Sequence, residues 1–448
     1  MSIDNTSLIN EITQIAAPQR RLYHSATAEL VFDTTVIDVF RVAGIRRYSD
    51  FVRAYAEEFT IDLVINKGVF NQYVIDNQDR LMINLIIDSS YPGRPPNIKK
   101  LQMRAFPKNT TDDRLKQNRT ADLNQSEVSK LEMDVYQFQL VDLAVEQMRA
   151  MQTGGNYPVT SAASVLRTLL GGAGSMIDLP MEQKPVAPDV IAPDTEVVKN
   201  MVAVKQGTDL VDLAGYLQHH YGLYNTGIGS FYHDRSWYVW PLYNTKRFEL
   251  AKKTLTLINV PRDRFPDIET TFAVRGNSVV ILLTGDSVYQ DSSNRQQYNK
   301  GSGTRAVRSS AVSGDEGRIV DKGQVIVQRS QTNTEIKTNN RRTGVDVVPS
   351  TTEVTDNTAR VLSRTATVNG TTAQFTWQSS DPSLIFPGMP VKLLYLKDGV
   401  VEQRYGVLTA AESQYRLSQP GLLQQAMLAD TALTAFISNG DDDYNTSL

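Results

Sequence analysis

The 448-residue sequence contains no cysteine and only four histidines. The absence of cysteine excludes disulfide bridges, thiolate metal ligands and a cysteine nucleophile. Four histidines are few for an enzyme of this length that uses imidazole in acid–base or metal chemistry, although carboxylate chemistry stays open. With a formal net charge of −3, the chain also lacks the basic excess that indicates nucleic-acid binding.

Long apolar runs are also missing. The stretch SVVILLT at 278–284 has the length of a strand and is far short of the ~20 residues of a membrane-spanning helix. The N-terminal sequence MSIDNTSLINEIT has no basic region followed by an apolar core, which a signal peptide requires. These absences predict a chain made in the cytoplasm, with no membrane-spanning segment.

The familiar catalytic motifs are absent as well, since neither a Gly-x-Ser-x-Gly elbow nor a His-Glu-x-x-His pair occurs. Neighbouring His219 and His220 would point about 100° apart on a helix, so they cannot converge on one metal ion. Glu57 and Glu58 would face opposite sides of a strand. We therefore predict no catalytic residue, no metal ligand and no cofactor, and so no enzyme.

What the sequence does contain is period-two alternation of apolar residues, which is typical of strands with one buried face. Within 22–150 the clearest runs are 27–32, 59–65 and 81–87. A change of phase between Val135 and Tyr136 predicts a β-bulge, and 68–77 is predicted to be a short helix or wide turn. The polar stretch 107–130 is predicted to be an exposed loop.

The C-terminal half repeats this strand pattern. Strands are predicted over 254–259 and 278–284, and Asn369-Gly370 and Asp398-Gly399 are typical hairpin turns. The predicted fold class is therefore mainly β with an α+β insert.

The insert is the stretch 207–242, which combines one amphipathic helix with one aromatic hairpin. The apolar residues at helical spacing are Leu210, Leu213, Ala214, Leu217 and Tyr221. Thr208 is the predicted N-cap, and Gly222 is predicted to end the helix in a left-handed conformation. The runs 228–232 and 237–242 are predicted strands on either side of a polar turn.

The hairpin is dense in aromatic side chains, which are Phe231, Tyr232, Trp237, Tyr238 and Trp240. Alternation predicts that Phe231 and Trp237 share one face, and that Tyr232, Tyr238 and Trp240 share the other. One face is expected to pack on the helix. The other either packs inside the chain or seals a subunit interface, where Trp and Tyr are favoured.

The helix and hairpin resemble a segment of the hub proteins of contractile injection machines, which are the baseplate hub of tailed phages and the N-terminal part of the type VI secretion spike protein. The matching residues are Thr208, Leu210, Leu213, Leu217, Gly222, Tyr232, Tyr238 and Leu242. The strand pattern of 22–150 resembles the tube-forming domain that tail tubes and hubs share. The block 386–391, FPGMPV, resembles the turn that leads into a barrel strand in those proteins.

This resemblance implies two tail-tube-like β-barrel domains plus a helix–hairpin subdomain. The predicted organisation is an N-terminal arm (1–21), a first tube-like β domain (22–150), a Pro-rich linker with one short helix that ends at Gly171-Gly172 (151–200), the helix–hairpin subdomain (201–250), a second tube-like β domain (251–420) with a long polar insertion (286–350), and a C-terminal helix and acidic tail (421–448). The insertion is predicted to be an exposed loop or a disordered segment that orders on contact.

The same resemblance implies a structural virion protein of the tail baseplate, assembled in the host cytoplasm. A homotrimer would present six similar units, adapting a six-fold tail tube or tube-initiator protein to a three-fold central spike. Baseplate wedge proteins would be further partners, and DNA would only pass through the channel. The alternatives are a receptor-binding or other tail structural protein, and a cell-wall-degrading enzyme.

Overall fold

The computed structural model describes most of the chain. The described residues are 12, 13, 15, 21–89, 97–108, 133–194, 196–260, 270–284, 288–290, 304–310, 314–321, 324–330, 346–350, 359, 363, 366, 370–397, 400–419 and 425–438. The predicted loop at 109–130, residue Asn369 of the Asn-Gly turn and the acidic tail lie outside these residues.

Strands dominate the described residues, so the mainly β class is confirmed. The strands are β1 (His24–Phe32), β2 (Thr35–Asp38), β3 (Arg41–Asp50), β4 (Glu58–Asn66), β5 (Met82–Asp88), β6 (Ile98–Pro107), β7 (Met133–Asp142), β8 (Gln152–Thr160), β9 (Asp189–Val190), β10 (Lys199–Asp209), β11 (Ile228–His233), β12 (Ser236–Pro241), β13 (Thr254–Val260), β14 (Phe272–Arg275), β15 (Ser278–Thr284), β16 (Val288–Gln290), β17 (Thr304–Ser310), β18 (Gly314–Asp321), β19 (Gln324–Ser330), β20 (Asp346–Ser350), β21 (Gly370–Trp377), β22 (Pro390–Lys397), β23 (Val400–Leu417) and β24 (Ala426–Ser438).

Short helices connect some of these strands. The α-helices are α1 (Lys67–Val69), which continues into a π-helical turn (Phe70–Val74), α2 (Leu143–Arg149), α3 (Ala162–Met176) and α4 (Leu213–Tyr221). Single 3-10 turns lie at Leu210–Asp212, Thr245–Arg247 and Pro382–Leu384. Within the described part of the chain, no helix has the length and apolar character needed to cross a membrane.

Eight strands form a closed ring, called here the first ring. Its order is β23-β3-β4-β7-β6-β5-β1-β24, and β23 pairs with β24 to close it. Alternate residues of these strands point inward, and Leu30, Ile61, Leu85 and Phe138 are among the fully buried side chains inside it. An eight-stranded ring leaves just enough interior space for side chains, so its centre is a packed core.

The second strand set consists of β15, β13, β22, β23, β24 and β21, in that hydrogen-bonded order, with β14 beside β15 and β16 beside β21. Its buried side chains, which include Leu257, Ile281, Leu393 and Leu433, form a second core. The long strands β23 and β24 therefore belong to both groups. A register shift between Leu408 and Ala410 marks a bulge where β23 passes from one group to the other.

The outer face of the second strand set is covered by the chain itself. Ile15, inside the predicted N-terminal arm, is fully buried against Ile258, Val280 and Leu282. Part of the arm therefore packs on its own chain.

The predicted C-terminal helix is wrong, because residues Ala426–Ser438 form strand β24. Alternate side chains such as Met427, Ala429 and Leu433 are buried, and β24 pairs with β21 on one side and β23 on the other. Two hydrogen-bonded ladders and a buried face outweigh the helix propensity of an Ala- and Leu-rich segment.

The predicted linker at 151–200 is wrong over its first half, since 152–176 contain β8 and α3. Helix α3 runs through Gly171 and Gly172 to Met176 instead of ending there. One of its glycines allows close packing, since a Cβ at Gly174 would lie 2.8 Å from the carbonyl oxygen of Pro185. Pro185 and Pro188 therefore pack against the helix.

Three smaller predictions fail for local reasons. Strand β7 pairs with β4 from Met133 to Leu140 without a register shift, so the predicted bulge is absent. Thr208 lies in β10 and donates to the carbonyl of Lys205, so it is not the N-cap. Within 286–350, strands β17–β20 form a four-stranded sheet, because runs such as QVIVQRS are β-forming although the segment as a whole is polar.

Other local predictions are confirmed. Residues 67–74 form the short helical link. Lys397 pairs with Val400, whereas Asp398 and Gly399 themselves lie outside the described residues. Gly222 ends α4 with φ 73°, the left-handed conformation that glycine adopts without strain.

Helix α4 also protects an edge of the β8–β10 ribbon. The Tyr221 hydroxyl accepts from the backbone N–H of Ala203 (2.7 Å) and donates to the carbonyl of the same residue (2.9 Å). The backbone N–H of Lys205 donates to the Tyr216 hydroxyl at 3.2 Å. These contacts satisfy backbone groups that an open strand edge would leave free for pairing with another chain.

We expect Tyr221→Phe to lower the free energy of unfolding by about 1–3 kcal/mol, because two hydrogen bonds of about 0.5–1.5 kcal/mol each are lost. Amide exchange at Ala203 should speed up selectively. The control is Tyr23→Phe, at a tyrosine that is 49% exposed. Equal effects of the two substitutions would contradict the edge-protecting role.

Candidate functional site

The aromatic hairpin turns through two residues, not four. His233 pairs with Ser236, and the intervening Asp234 and Arg235 both have positive φ, 48° and 67°, as in the turns that fit the twist of a two-residue hairpin. Tyr232 therefore faces Trp237 across the ladder. Since directly opposed residues share a face, this turn decides which side chains lie together.

The predicted division of the aromatics between the two faces is wrong, because residues that lie directly opposite each other in the ladder share a face. Tyr232 and Trp237 lie on one face, 5.6 Å apart between ring centroids, and pack with Leu213 of α4 in a helical core. Phe231 and Trp240 lie on the other face and are buried in the second core, where Tyr238 also packs, half-buried. Both faces are thus covered within the single chain.

Trp240 joins two separate sequence motifs. Its ring lies over Gly229 of the paired strand and over Gly388 in the turn before β22, and a Cβ at either glycine would overlap the ring. Gly388 also has φ 65°. The Phe-Pro-Gly-Met block and the aromatic hairpin are therefore parts of one contact, which holds the hairpin to the second strand set.

An ionic cluster of Arg47, Glu57 and His233 holds the hairpin tip to the first ring. The Arg47 guanidinium donates to both Glu57 carboxylate oxygens, at 2.8 and 2.9 Å, and His233 Nδ1 lies 3.0 Å from the same carboxylate. The Arg47 side chain is 8% exposed and that of Glu57 is 20% exposed. A second pair, Lys99 to Asp234 at 3.1 Å, lies beside it.

The electrostatics of the cluster favour the ionised pair. Burial alone would raise the pKa of Glu57, but the charge of Arg47, and then His233, holds it well below its ordinary value of 4.5. Burial works against the charge of Arg47, yet Glu57 raises its pKa overall. A carboxylate held in this way is a structural anchor, because a general acid needs a pKa near the working pH.

A third feature is the connector, residues 378–389 between β21 and β22, which contacts the first ring, the second strand set and the aromatic hairpin. Its Ser380 N–H donates to the carbonyl of Ala429 at 2.7 Å, and the Asn97 side chain donates to Ser383 at 3.0 Å. Near its other end, Arg247 donates to the carbonyl of Gly388 at 2.7 Å. A small cavity between the connector and the ionic cluster is lined by Pro382 among others.

The structure separates the acidic pair that the sequence offered for chemistry and leaves the histidine pair in ring contact. Glu57 lies in the ionic cluster, whereas Glu58 is exposed. His219 and His220 lie edge to face at the end of α4. Among the described residues, no group of three or more His, Asp or Glu side chains is arranged to hold a metal ion.

The ionic cluster was missed from the sequence, although it left a signal there. On β3, Arg47 occupies the same alternating phase as buried Ile45 and Ser49. A charged residue in the buried phase of a strand requires a partner, and that requirement points to a buried ion pair.

The comparisons with known proteins concern the fold. No family model matches the sequence, and no curated protein matches it with significance. The fold is similar to a 43 kDa tail protein of prophage MuSo2 from Shewanella oneidensis (8% identity, TM-score 0.46, 92% of this chain and 96% of that chain). It is also similar to a chain of the Francisella PdpA–VgrG complex (8% identity, TM-score 0.43, 97% of this chain and 61% of that chain). A further similar chain belongs to the phage P2 baseplate (7% identity, TM-score 0.32, 93% of this chain and 100% of that chain).

These are a tail protein, a complex containing VgrG and a phage baseplate, which are the classes that the sequence resemblance names. This chain spans about three fifths of the length of the Francisella chain. Because every TM-score is below 0.5, the case for a function rests on this chain's own residues.

Proposed function

We propose that the chain is a structural protein of a phage tail or related injection machine, acting as the baseplate hub. The observation that carries the proposal is the sharing of β23 and β24 between the first ring and the second strand set. One chain thereby holds two β units side by side on common strands. We assign these two units to the two tail-tube-like β-barrel domains that the sequence resemblance implies, with the difference that the first unit also needs β23 and β24.

A protein with two fixed β units can adapt one symmetry to another. Three chains in a homotrimer present six units to a six-fold tail tube or tube-initiator protein, and three equivalent surfaces to a central spike. Baseplate wedge proteins would bind around the ring, and DNA would cross its channel. The site of action is the virion tail baseplate, after assembly in the host cytoplasm.

Such an adaptor requires the two units to keep one relative orientation. The shared strands, the Trp240 contact and the ionic cluster all tie the units together. Trp240 is 2% exposed and Arg47 is 7% exposed, so these ties are shielded from solvent. The hairpin aromatics are therefore assigned to positioning within the chain, and subunit contacts to other surfaces.

The test is the mass and shape of the purified chain, by light scattering and negative-stain microscopy over a range of protein concentrations. We expect particles of three times the chain mass of 49.9 kDa, with six units around a channel. Particles that stay monomeric at the highest concentration, or oligomers of another symmetry, would contradict the proposal.

The two alternatives make different predictions for the same sample. A receptor-binding tail protein would bind host cells as a free particle, whereas a hub would not. A cell-wall-degrading enzyme would release peptidoglycan fragments, and that activity would be lost on replacing its acidic residues. Glu57, paired with Arg47, is poorly suited to such a role.

A further inference from the structure

His24, the first residue of β1, lies where several parts of the fold meet. It is 1% exposed. Its Nε2 is 3.0 Å from the carbonyl oxygen of Ser380 in the connector, and its Nδ1 is 2.8 Å from Oγ of Ser89, just after β5. The ring packs edge to face on Tyr415 of β23, with centroids 5.1 Å apart.

These partners fix the tautomer of the neutral imidazole. A carbonyl oxygen can only accept, so Nε2 must carry the hydrogen that is donated to Ser380. In the neutral ring, Nδ1 then accepts from the Ser89 hydroxyl. A proton added to Nδ1 would make it a donor, so the Ser89 hydroxyl would have to reverse its role, and a charge would be placed on a side chain that is buried from solvent.

The Ser380 residue that His24 holds is itself part of a buried network. Its hydroxyl donates to the carbonyl of Ala429 at 3.1 Å and lies 2.8 Å from the Thr431 hydroxyl. The Thr431 hydroxyl is in turn 3.0 Å from that of Ser413. His24 thus joins the connector to the first ring at a point where β23 and β24 also meet it.

We propose that His24 is an acid-sensitive latch, which holds the connector to the first ring while its imidazole is neutral and loosens that attachment when the imidazole is protonated. The latch does not depend on the hub function, because it follows from the contacts of His24 alone.

Charged and titratable groups face His24 from each neighbouring element: Asp88 from β5, Asp381 from the connector and Tyr415 from β23, with Arg47 of β3 next to Tyr415. Burial lowers the pKa of His24 below its ordinary value of 6.5, against the opposing effects of the Ser380 carbonyl and the two carboxylates. The unfolded chain therefore takes up a proton more readily than the folded chain. The stability that the latch contributes is complete above pH 6.5 and is lost as the pH falls below that value.

The experiment measures hydrogen exchange of the Ser380 amide in the full chain at about pH 7 and about pH 5, corrected for the intrinsic exchange rate. Because the opened state takes up the proton more readily than the closed state, we expect protection in the wild type to be several-fold lower at the acidic pH than at the neutral pH. In His24→Gln, whose amide can still donate to Ser380, protection should be lower at neutral pH but nearly independent of pH.

The matched control is His220→Gln, which removes an exposed imidazole of α4 and should retain the wild-type pH dependence. The same pH dependence in His24→Gln as in the wild type would overturn the proposal. If His24→Gln does not fold, an NMR titration of the wild-type histidines decides the matter. A His24 resonance that titrates at or above pH 6.5 would overturn the latch, and one that titrates below it would support the latch.

Discussion

Replacing Gly388 with alanine is expected to lower the free energy of unfolding by about 2–5 kcal/mol. Two costs add. A left-handed conformation, φ 65° here, costs an alanine about 1–2 kcal/mol, and forcing an extra methyl into a packed core costs about 1–3 kcal/mol. The Trp240 ring cannot move away from the new methyl, because Gly229 lies against it as well.

The matched control is Gly276→Ala in the turn between β14 and β15. Gly276 has φ 59°, but a Cβ there would meet no atom within 4 Å, so only the conformational cost of about 1–2 kcal/mol applies. Urea unfolding followed by tryptophan fluorescence measures both variants. If the two substitutions cost the same, the close approach of Trp240 to Gly388 does not stabilise the fold.

Replacing Glu57 with glutamine is expected to lower the free energy of unfolding by about 2–4 kcal/mol, because removing one partner of a buried pair leaves the other charge uncompensated. The Arg47 guanidinium would remain buried without a counter-charge, and the hairpin tip would lose the carboxylate that His233 contacts. Hydrogen exchange should therefore increase both in β3 and in the hairpin, which the ionic cluster holds together.

The pH dependence of this variant follows from the lowered pKa of Glu57. A carboxyl group with a depressed pKa contributes stability above its ordinary value of 4.5, and that contribution is lost as the pH falls through the folded-state value. The difference between wild type and Glu57→Gln should therefore shrink below about pH 4.5. This window begins at a lower pH than the one in which His24 acts, because the ordinary pKa values are 4.5 and 6.5.

The control for the ionic cluster is Glu412→Gln, which breaks an ion pair with Arg46 in which the side chains are 63% and 38% exposed. Exposed pairs of this kind contribute about 0–1 kcal/mol. Urea unfolding at neutral pH should therefore separate the two variants clearly. A cost for Glu57→Gln as small as that for Glu412→Gln would mean that the cluster is hydrated and does not hold the hairpin.

The parts of the fold that could be predicted from the sequence are those set by local patterns. Alternation at 59–65 and 81–87 located β4 and β5, because a half-buried strand places every second side chain inside. The apolar repeat from Leu213 to Leu217 located α4, and Gly222 marked its end. Each of these signals lies within about ten residues of chain.

The parts that could not be predicted depend on distant partners. Whether 426–438 forms a helix or a strand is decided by β21 and β23, which supply a ladder on each side. The faces of the hairpin aromatics depend on the register in which the two strands pair, and a shift of one residue exchanges the faces. The connector, in turn, carries no motif before its Phe-Pro-Gly-Met block. Its importance becomes clear only from the contacts that His24 and Arg247 make with it in the structure.

The sharing of β23 and β24 has a consequence for the order in which the protein can fold during synthesis. The first ring begins at His24 but closes only with residues 410–417 and 426–427, which the ribosome adds after all the other strands of the ring. Until then β1 and β3 each lack a neighbour, and their exposed edges can pair with other chains. A chain that stops before β23 therefore has no complete β unit, whereas a protein built of consecutive domains could fold its first domain while the second was still being made.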